Sequence, residues 1–196
     1  MKWDRTRYQT DAVTVARKLI GAVLVRETEE GRMACRITET EAYGGFLKGH
    51  PDDGCHAFRG RTKRTEVMFH AGGCAYVYLI YGMYHCLNLV TGPEGKAQAV
   101  LIRGAEPLEG ITWMQKRRNV QIGPRLTAGP GRLCMAMGIT KEQNGADLTS
   151  GSLYVEDGEN LSPQIDVSTR INVQYAEYGK DFPWRFTLHG SLWISK

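Results

Sequence analysis

Glu39-Thr40-Glu41-Ala42-Tyr43 places two carboxylates and an aromatic ring at every second position. In an extended strand such positions share a face, and the same phase upstream carries Met33, Cys35 and Ile37. A carboxylate that continues a buried apolar face is costly unless it is paired or used in chemistry. The ordinary alternative is a strand that leaves the core near Glu39, with both acids in solvent. Arg103 repeats the pattern at the end of a face made by Ala97, Ala99 and Leu101. Its ordinary role would be an ion pair with a surface acid.

The tyrosines indicate what such a carboxylate could act on. Tyr76 to Asn88 holds four of the nine tyrosines of the chain. Its β-branched and aromatic residues favour a strand and Gly82 favours a turn, so the segment reads as a hairpin. Period two puts Tyr76, Tyr78 and Ile80 on one face and Val77 and Leu79 on the other. Tyr81, at the tip, either packs beneath a neighbouring loop or meets a flat partner such as a nucleic-acid base. Arg59-Gly60-Arg61-Thr62-Lys63-Arg64 adds four cations within Gly44 to Gly73, a long stretch of little periodicity. Arg59, Arg61, Lys63 and Arg64 suit phosphate contacts, although a solvated basic loop has the same composition. Gly129-Pro130-Gly131-Arg132 opens a short helix, and its N–H groups can hold a phosphate or form an ordinary tight turn.

Four chemistries compete for these residues. His50, Asp52, Asp53, Cys55 and His56 are metal-ligand types, but their spacing matches no zinc or calcium motif. Cys86 follows His85, yet neighbours on a strand point to opposite faces and form no local nucleophile–base pair. A non-catalytic nucleic-acid binder would use the tyrosines and the cations. An enzyme that extrudes a base and cleaves its glycosidic bond uses the most features at once. Tyr81 would fill the vacated stack. Tyr43, His56 and Tyr78 would supply flat walls. Glu41, on the same face as Tyr43, would orient and deprotonate water near the anomeric carbon and stabilise the oxocarbenium-like state. A cationic alkylated purine is already a good leaving group, so a second acid is less necessary.

The elements that must position these residues are short and closely connected. Helices are expected over Thr10–Ile20, Pro107–Asn119 and Leu133–Met137. Strands are expected over Ala22–Arg26, Arg32–Tyr43, Ala97–Ala105, Ser152–Val155, Ile171–Gln174 and Arg185–Leu188. With no linker or repeat, 196 residues fit one α+β domain with antiparallel neighbours. Charge is +4, a mild tilt towards a polyanionic partner. No apolar run approaches the ~20 residues of a membrane span, and the N-terminus lacks a signal-peptide core. Five cysteines, an odd number without C-x-x-C spacing, fit reduced thiols in the cytoplasm.

Several segments carry a family resemblance. They are Ile37 to Tyr43, His56 to Thr62, Met68-Phe69, Tyr76 to Met83, Cys86-Leu87-Asn88, Leu101 to Gly110, Gly129 to Cys134 and Gly190 to Ser195, together with Val15 to Gly21. In this order they resemble the alkyladenine (N-methylpurine) DNA glycosylases over nearly the whole chain, bacterial members in particular. The resemblance implies a curved, largely antiparallel sheet with surrounding helices and a protruding hairpin. It implies Glu41 as general base, Arg103 as the arginine that helps hold the water, and Tyr43, His56 and Tyr78 around the flipped base. It also implies Tyr81 as the intercalating residue and Asn88 as the side chain that crowds the amino group of guanine. The partner implied is double-stranded DNA with alkylated or deaminated purines, with no metal or organic cofactor, and a monomer is the default. No reactive lysine lies in the matched motifs, so an intact abasic strand is the implied product. A damage-binding protein of the same architecture with little turnover is the alternative. Thr65-Glu66 departs from the pattern, and an acid there is expected to weaken phosphate contact or redirect the basic loop.

Overall fold

The computed structural model describes residues 1–159 and 162–195. The Asp11 carboxylate accepts the Thr14 N–H and caps α1 (Ala12–Leu19), which turns Ala12, Val15, Ala16 and Leu19 into the core. β1 (Val23–Thr28) and β2 (Gly31–Tyr43) pair antiparallel. β3 (Phe46–Leu47) and β4 (His50–Pro51) form a separate small ribbon. β5 (Ala75–Ile80) and β6 (Tyr84–Val90) make the tyrosine hairpin, and β7 (Ala99–Glu109) follows. α2 (Ile111–Arg118) and α3 (Pro130–Met137) come next, then β8 (Leu153–Glu156), β9 (Ile165–Ser168) and β10 (Arg185–Leu188).

The result is α+β, with an open, antiparallel sheet in the order β5-β6-β7-β2-β1-β8. β10 branches from this path, pairing with both β2 and β9. β2 is the centre of the sheet. β7 runs along one of its edges, while β1 and then β10 share the other.

A β-bulge decides where the two acids go. Pairing between β2 and β7 shifts register between Ile37 and Glu39 and again between Glu39 and Thr40. An extra residue at such a point reverses which face each later side chain occupies. The main core therefore takes Met33, Cys35 and Ile37 from the first half of β2 but Ala42 from the second. Thr40 follows Ala42, its hydroxyl donating to the Ala16 carbonyl of α1 at 3.0 Å. The single face expected from Met33 to Tyr43 is thus split. Glu39, Glu41 and Tyr43 do not continue the apolar stripe but lie across the sheet from it. Nor do the acids reach solvent, because both are fully buried.

Two other expectations are corrected. Pro107 does not start a helix, because β7 continues through it to Glu109 and α2 begins at Ile111. Proline is tolerated there because Pro107 lies opposite Cys35 at a further register shift, and β6 pairs only with Ala99 to Leu101 of β7. Ile171 to Gln174 is a turn-rich segment rather than a strand, and the strand of that region is β9. The β-branched residues suggested a strand, but Asn172 adopts a φ of 60°, which breaks an extended run. Among the described residues no helix is long and apolar enough to cross a membrane. All five cysteines are free and buried.

Candidate active site

The bulge brings β2 and β7 together so that Glu39, Glu41 and Arg103 form one buried network. Glu41 Oε2 accepts the Tyr43 hydroxyl at 2.7 Å and Arg103 Nη1 at 3.3 Å. Its Oε1 accepts the Ile171 backbone N–H at 2.7 Å. Glu39 Oε1 accepts Arg103 Nε at 3.1 Å, Arg185 Nε at 2.7 Å and the Ser195 hydroxyl at 2.9 Å. Glu39 Oε2 accepts the Ser195 N–H at 2.6 Å. Burial opposes the charge of Arg103, but the carboxylates of Glu41 and then Glu39 outweigh it and hold the guanidinium above its ordinary value. Burial, and next the Glu41 carboxylate, push the Tyr43 phenol well above 10, so it remains a donor at neutral pH. The C-terminal segment reaches Glu39 by crossing β7 at Gly104. A Cβ there would lie 2.5 Å from the Trp193 carbonyl oxygen.

Tyr43 and Arg103 open onto a cavity of about 370 Å³. His56, Tyr76, Tyr78 and Asn88 line it from the aperiodic stretch and the hairpin, and Ile171 to Val173 with Tyr175 line it from the opposite loop. The His56 ring meets the Tyr78 ring edge-on at 4.6 Å, and its Nδ1 lies 3.3 Å from the Tyr76 hydroxyl. His56 keeps an exposed edge, and desolvation of the part against these rings, and then the charge of Arg64, push its pKa down to about 4. His56 is therefore neutral at physiological pH. The Asn88 side-chain amide donates to the Tyr76 carbonyl at 3.2 Å, which fixes its orientation on the wall.

The hairpin tip projects as expected. Tyr81 is 77% exposed, lines the cavity mouth, and has a φ of 53°. A bulky residue in the left-handed region is strained unless the turn requires it. Here Gly82 also has positive φ, and the Met83 N–H closes the turn on the Ile80 carbonyl at 3.2 Å.

The cations sort into different environments. Arg59, Arg61, Lys63, Arg64 and Arg132 are all exposed. Arg61 pairs with Glu66 at 2.8 Å and lies over the Phe69 ring, so the unusual acid occupies one member of the basic run. Arg64 lies over the Tyr78 ring at 5.1 Å, beside the cavity. Arg132, in the first turn of α3, donates to the Ala128 carbonyl at 3.0 Å. The residues weighed as metal ligands are committed elsewhere. Asp52 pairs with Arg170, and Asp53 accepts the backbone N–H groups of Glu177, Tyr178 and Gly179.

Sequence reasoning missed Ile171, Ser195 and Arg185, which hold the acids from 130 to 156 residues away, and Arg170, which pairs with Asp52. Only the second acid, two positions from Glu41, hinted that a second partner set was needed.

A buried acid held by an arginine behind an aromatic cavity, beside a tyrosine-tipped hairpin, fits an enzyme that hydrolyses a bond next to a flat ring. The family model described as methylpurine-DNA glycosylase (MPG) matches residues 6–192. A protein of Methanocella arvoryzae is 48% identical over 194 residues, covering 98% of this chain and 94% of its own. One of Desulfitobacterium hafniense is 44% identical over 200 residues, covering 97% of both chains. One of Clostridium acetobutylicum is 43% identical over 204 residues, covering 100% of this chain and 98% of its own. Each relative bears the name "Putative 3-methyladenine DNA glycosylase". The chain belongs to the methylpurine-DNA glycosylase family, hydrolases that act on N-glycosyl bonds in DNA.

Proposed function

We propose that the protein removes alkylated and deaminated purines, 3-methyladenine foremost, from duplex DNA by turning the damaged nucleotide into the cavity. The observation that carries this reading is the buried Glu41 carboxylate, held by Arg103, Tyr43 and the Ile171 N–H behind an aromatic-walled space of about 370 Å³. An ionised carboxylate offers about four lone-pair sites, and these three donors leave one for water.

Glu41 takes a proton from that water as its oxygen forms a bond to the anomeric carbon. The glycosidic C–N bond breaks with its electron pair passing to the purine. A 3-methylated adenine starts cationic and leaves neutral, so departure needs no proton, whereas a neutral deaminated purine leaves as an anion and takes up the proton removed from the water. Arg103 orients the water, and the Glu41 charge stabilises the oxocarbenium-like state. Tyr43, neutral His56 and Tyr78 flank the extruded base, and Asn88 on the wall disfavours the extra amino group of guanine. Tyr81 fills the gap left in the stack. Arg59, Lys63, Arg64 and Arg132 hold phosphates, with Arg61 weakened by Glu66. A monomer in the cytoplasm suffices.

Methylated duplex DNA and duplexes with one hypoxanthine or one ethenoadenine test this reading. Free 3-methyladenine should be released, and lesion strands should break only after alkali. Persistent lesion binding with no base released from any substrate would instead make the protein a damage binder.

A further inference from the structure

Asp52 and Arg170 form a two-bond ion pair, and both side chains are fully buried. Arg170 Nη1 donates to Asp52 Oδ2 at 2.7 Å and Nη2 to Oδ1 at 2.6 Å. Such a pair is weak evidence for stability, because both ions lose their hydration. What surrounds it is more informative. Asp52 also accepts the N–H groups of Gly44 at 2.8 Å and Gly54 at 3.1 Å. Arg170 donates to the Ala42 carbonyl at 2.9 Å and the Gly179 carbonyl at 2.8 Å, and its guanidinium covers the Tyr43 ring at 4.5 Å. Ala42 lies between Glu41 and Tyr43, and Arg170 is followed directly by Ile171, whose N–H holds Glu41 Oε1. Two glycines enclose the pair. A Cβ on Gly179 would lie 2.6 Å from Asp52 Oδ1, and one on Gly54 would lie 3.0 Å from Arg170 Nη2.

We propose that the Asp52–Arg170 pair is the positioning device of the site, clamping the end of β2 and the segment after β4 to the loop after β9 so that the Ile171 N–H stays on Glu41 and the Tyr43 ring stays against the cavity. Neither member of the pair lines the cavity, so it acts through those two contacts. The inference rests on Glu41 being the general base. Around Glu41 stand Glu39 and Tyr43 of its own strand, Arg103 of β7, Cys86 of β6, Arg185 of β10 and Arg170 itself. Loosening the clamp removes the Ile171 donor while Arg103 and Tyr43 remain, so the Glu41 carboxylate is no longer held on both oxygens and can turn from its place behind the cavity.

Arg170→Lys keeps the charge but loses the fork, and Gly179→Ala displaces the pair while leaving both ions in place. Single-turnover release of 3-methyladenine is compared with the dissociation constant for a duplex holding a reduced abasic site. The expected result is a fall of about 10-fold or more in maximal rate with binding within about 3-fold of the parent, in whichever variant remains folded. A folded variant with the parental rate would overturn the clamp. So would a variant that loses binding and rate in equal measure. Absence of release by the parent protein would instead overturn the glycosylase reading, so the two failures are distinguishable.

Discussion

Glu39 and Glu41 stand two residues apart on one strand, both fully buried and both bonded to Arg103. Their surroundings differ in one respect. Glu39 is filled by Arg103, Arg185, the Ser195 hydroxyl and the Ser195 N–H. Glu41 has Tyr43, Arg103 and the Ile171 N–H, with the cavity just beyond Tyr43 and Arg103. All three donors on Glu41 line the cavity, whereas of the residues that hold Glu39 only Arg103 does, so water in the cavity lies next to the setting of Glu41 and not of Glu39. The difference teaches that a pair of acids in sequence need not be a pair in chemistry. In the proposed mechanism one fixes the arginine, and the other uses it.

The largest effect should come from breaking the reactive half. Glu41→Gln is expected to lower the excision rate by about 10²- to 10⁴-fold, the usual worth of a general base, in single-turnover assays. Lesion binding should persist, because the cavity walls and cations are untouched. The next effect sharpens the contrast. Glu39→Gln leaves Arg103 and Arg185 short of a buried partner, which typically costs about 3–5 kcal/mol, so urea unfolding should shift far more than for Glu41→Gln. If the two substitutions cost the same stability, Glu39 is not the structural acid.

The smallest effect separates the carboxylates' acid response from that of His56. The folded pKa of His56 is about 4, below its ordinary 6.5. Between these values the unfolded chain binds the proton and the folded chain does not. Stability should therefore fall as pH drops from about 6.5 to about 4, with no further His56 contribution below that. Urea midpoints at pH 7 and pH 4.5 should differ less in His56→Asn than in the parent.

Much of this site was legible locally. Tyr43, Tyr78, Asn88 and Arg103 line the cavity, and Tyr81 sits exposed at its turn. Alternation alone put Tyr76 and Tyr78 on one face of the hairpin, and Tyr76 is buried beside Tyr78 while Leu79 on the other phase is half exposed. What alternation missed is the bulge, because a register shift depends on the partner strand rather than on the strand's own residues. Period two joined Ile37 to Glu39, whereas pairing with Ala105 and Gly104 separates them. The donors that hold the acids were also hidden. Ser195 reaches Glu39 across 156 residues, and Ile171 offers only a backbone N–H, which no side-chain pattern encodes. Arg170 carried no signal in the sequence, because its partner Asp52 lies 118 residues earlier.

The most direct test of the division of labour is the rate of 3-methyladenine release per folded molecule for Glu41→Gln and Glu39→Gln side by side, with the folded fraction set by circular dichroism. The expected result is near-complete loss for Glu41→Gln at a parental folded fraction, and substantial residual release from whatever Glu39→Gln remains folded. Equal residual rates in the two variants, or greater release by Glu41→Gln, would contradict the assignment of Glu41 as the acid that activates water.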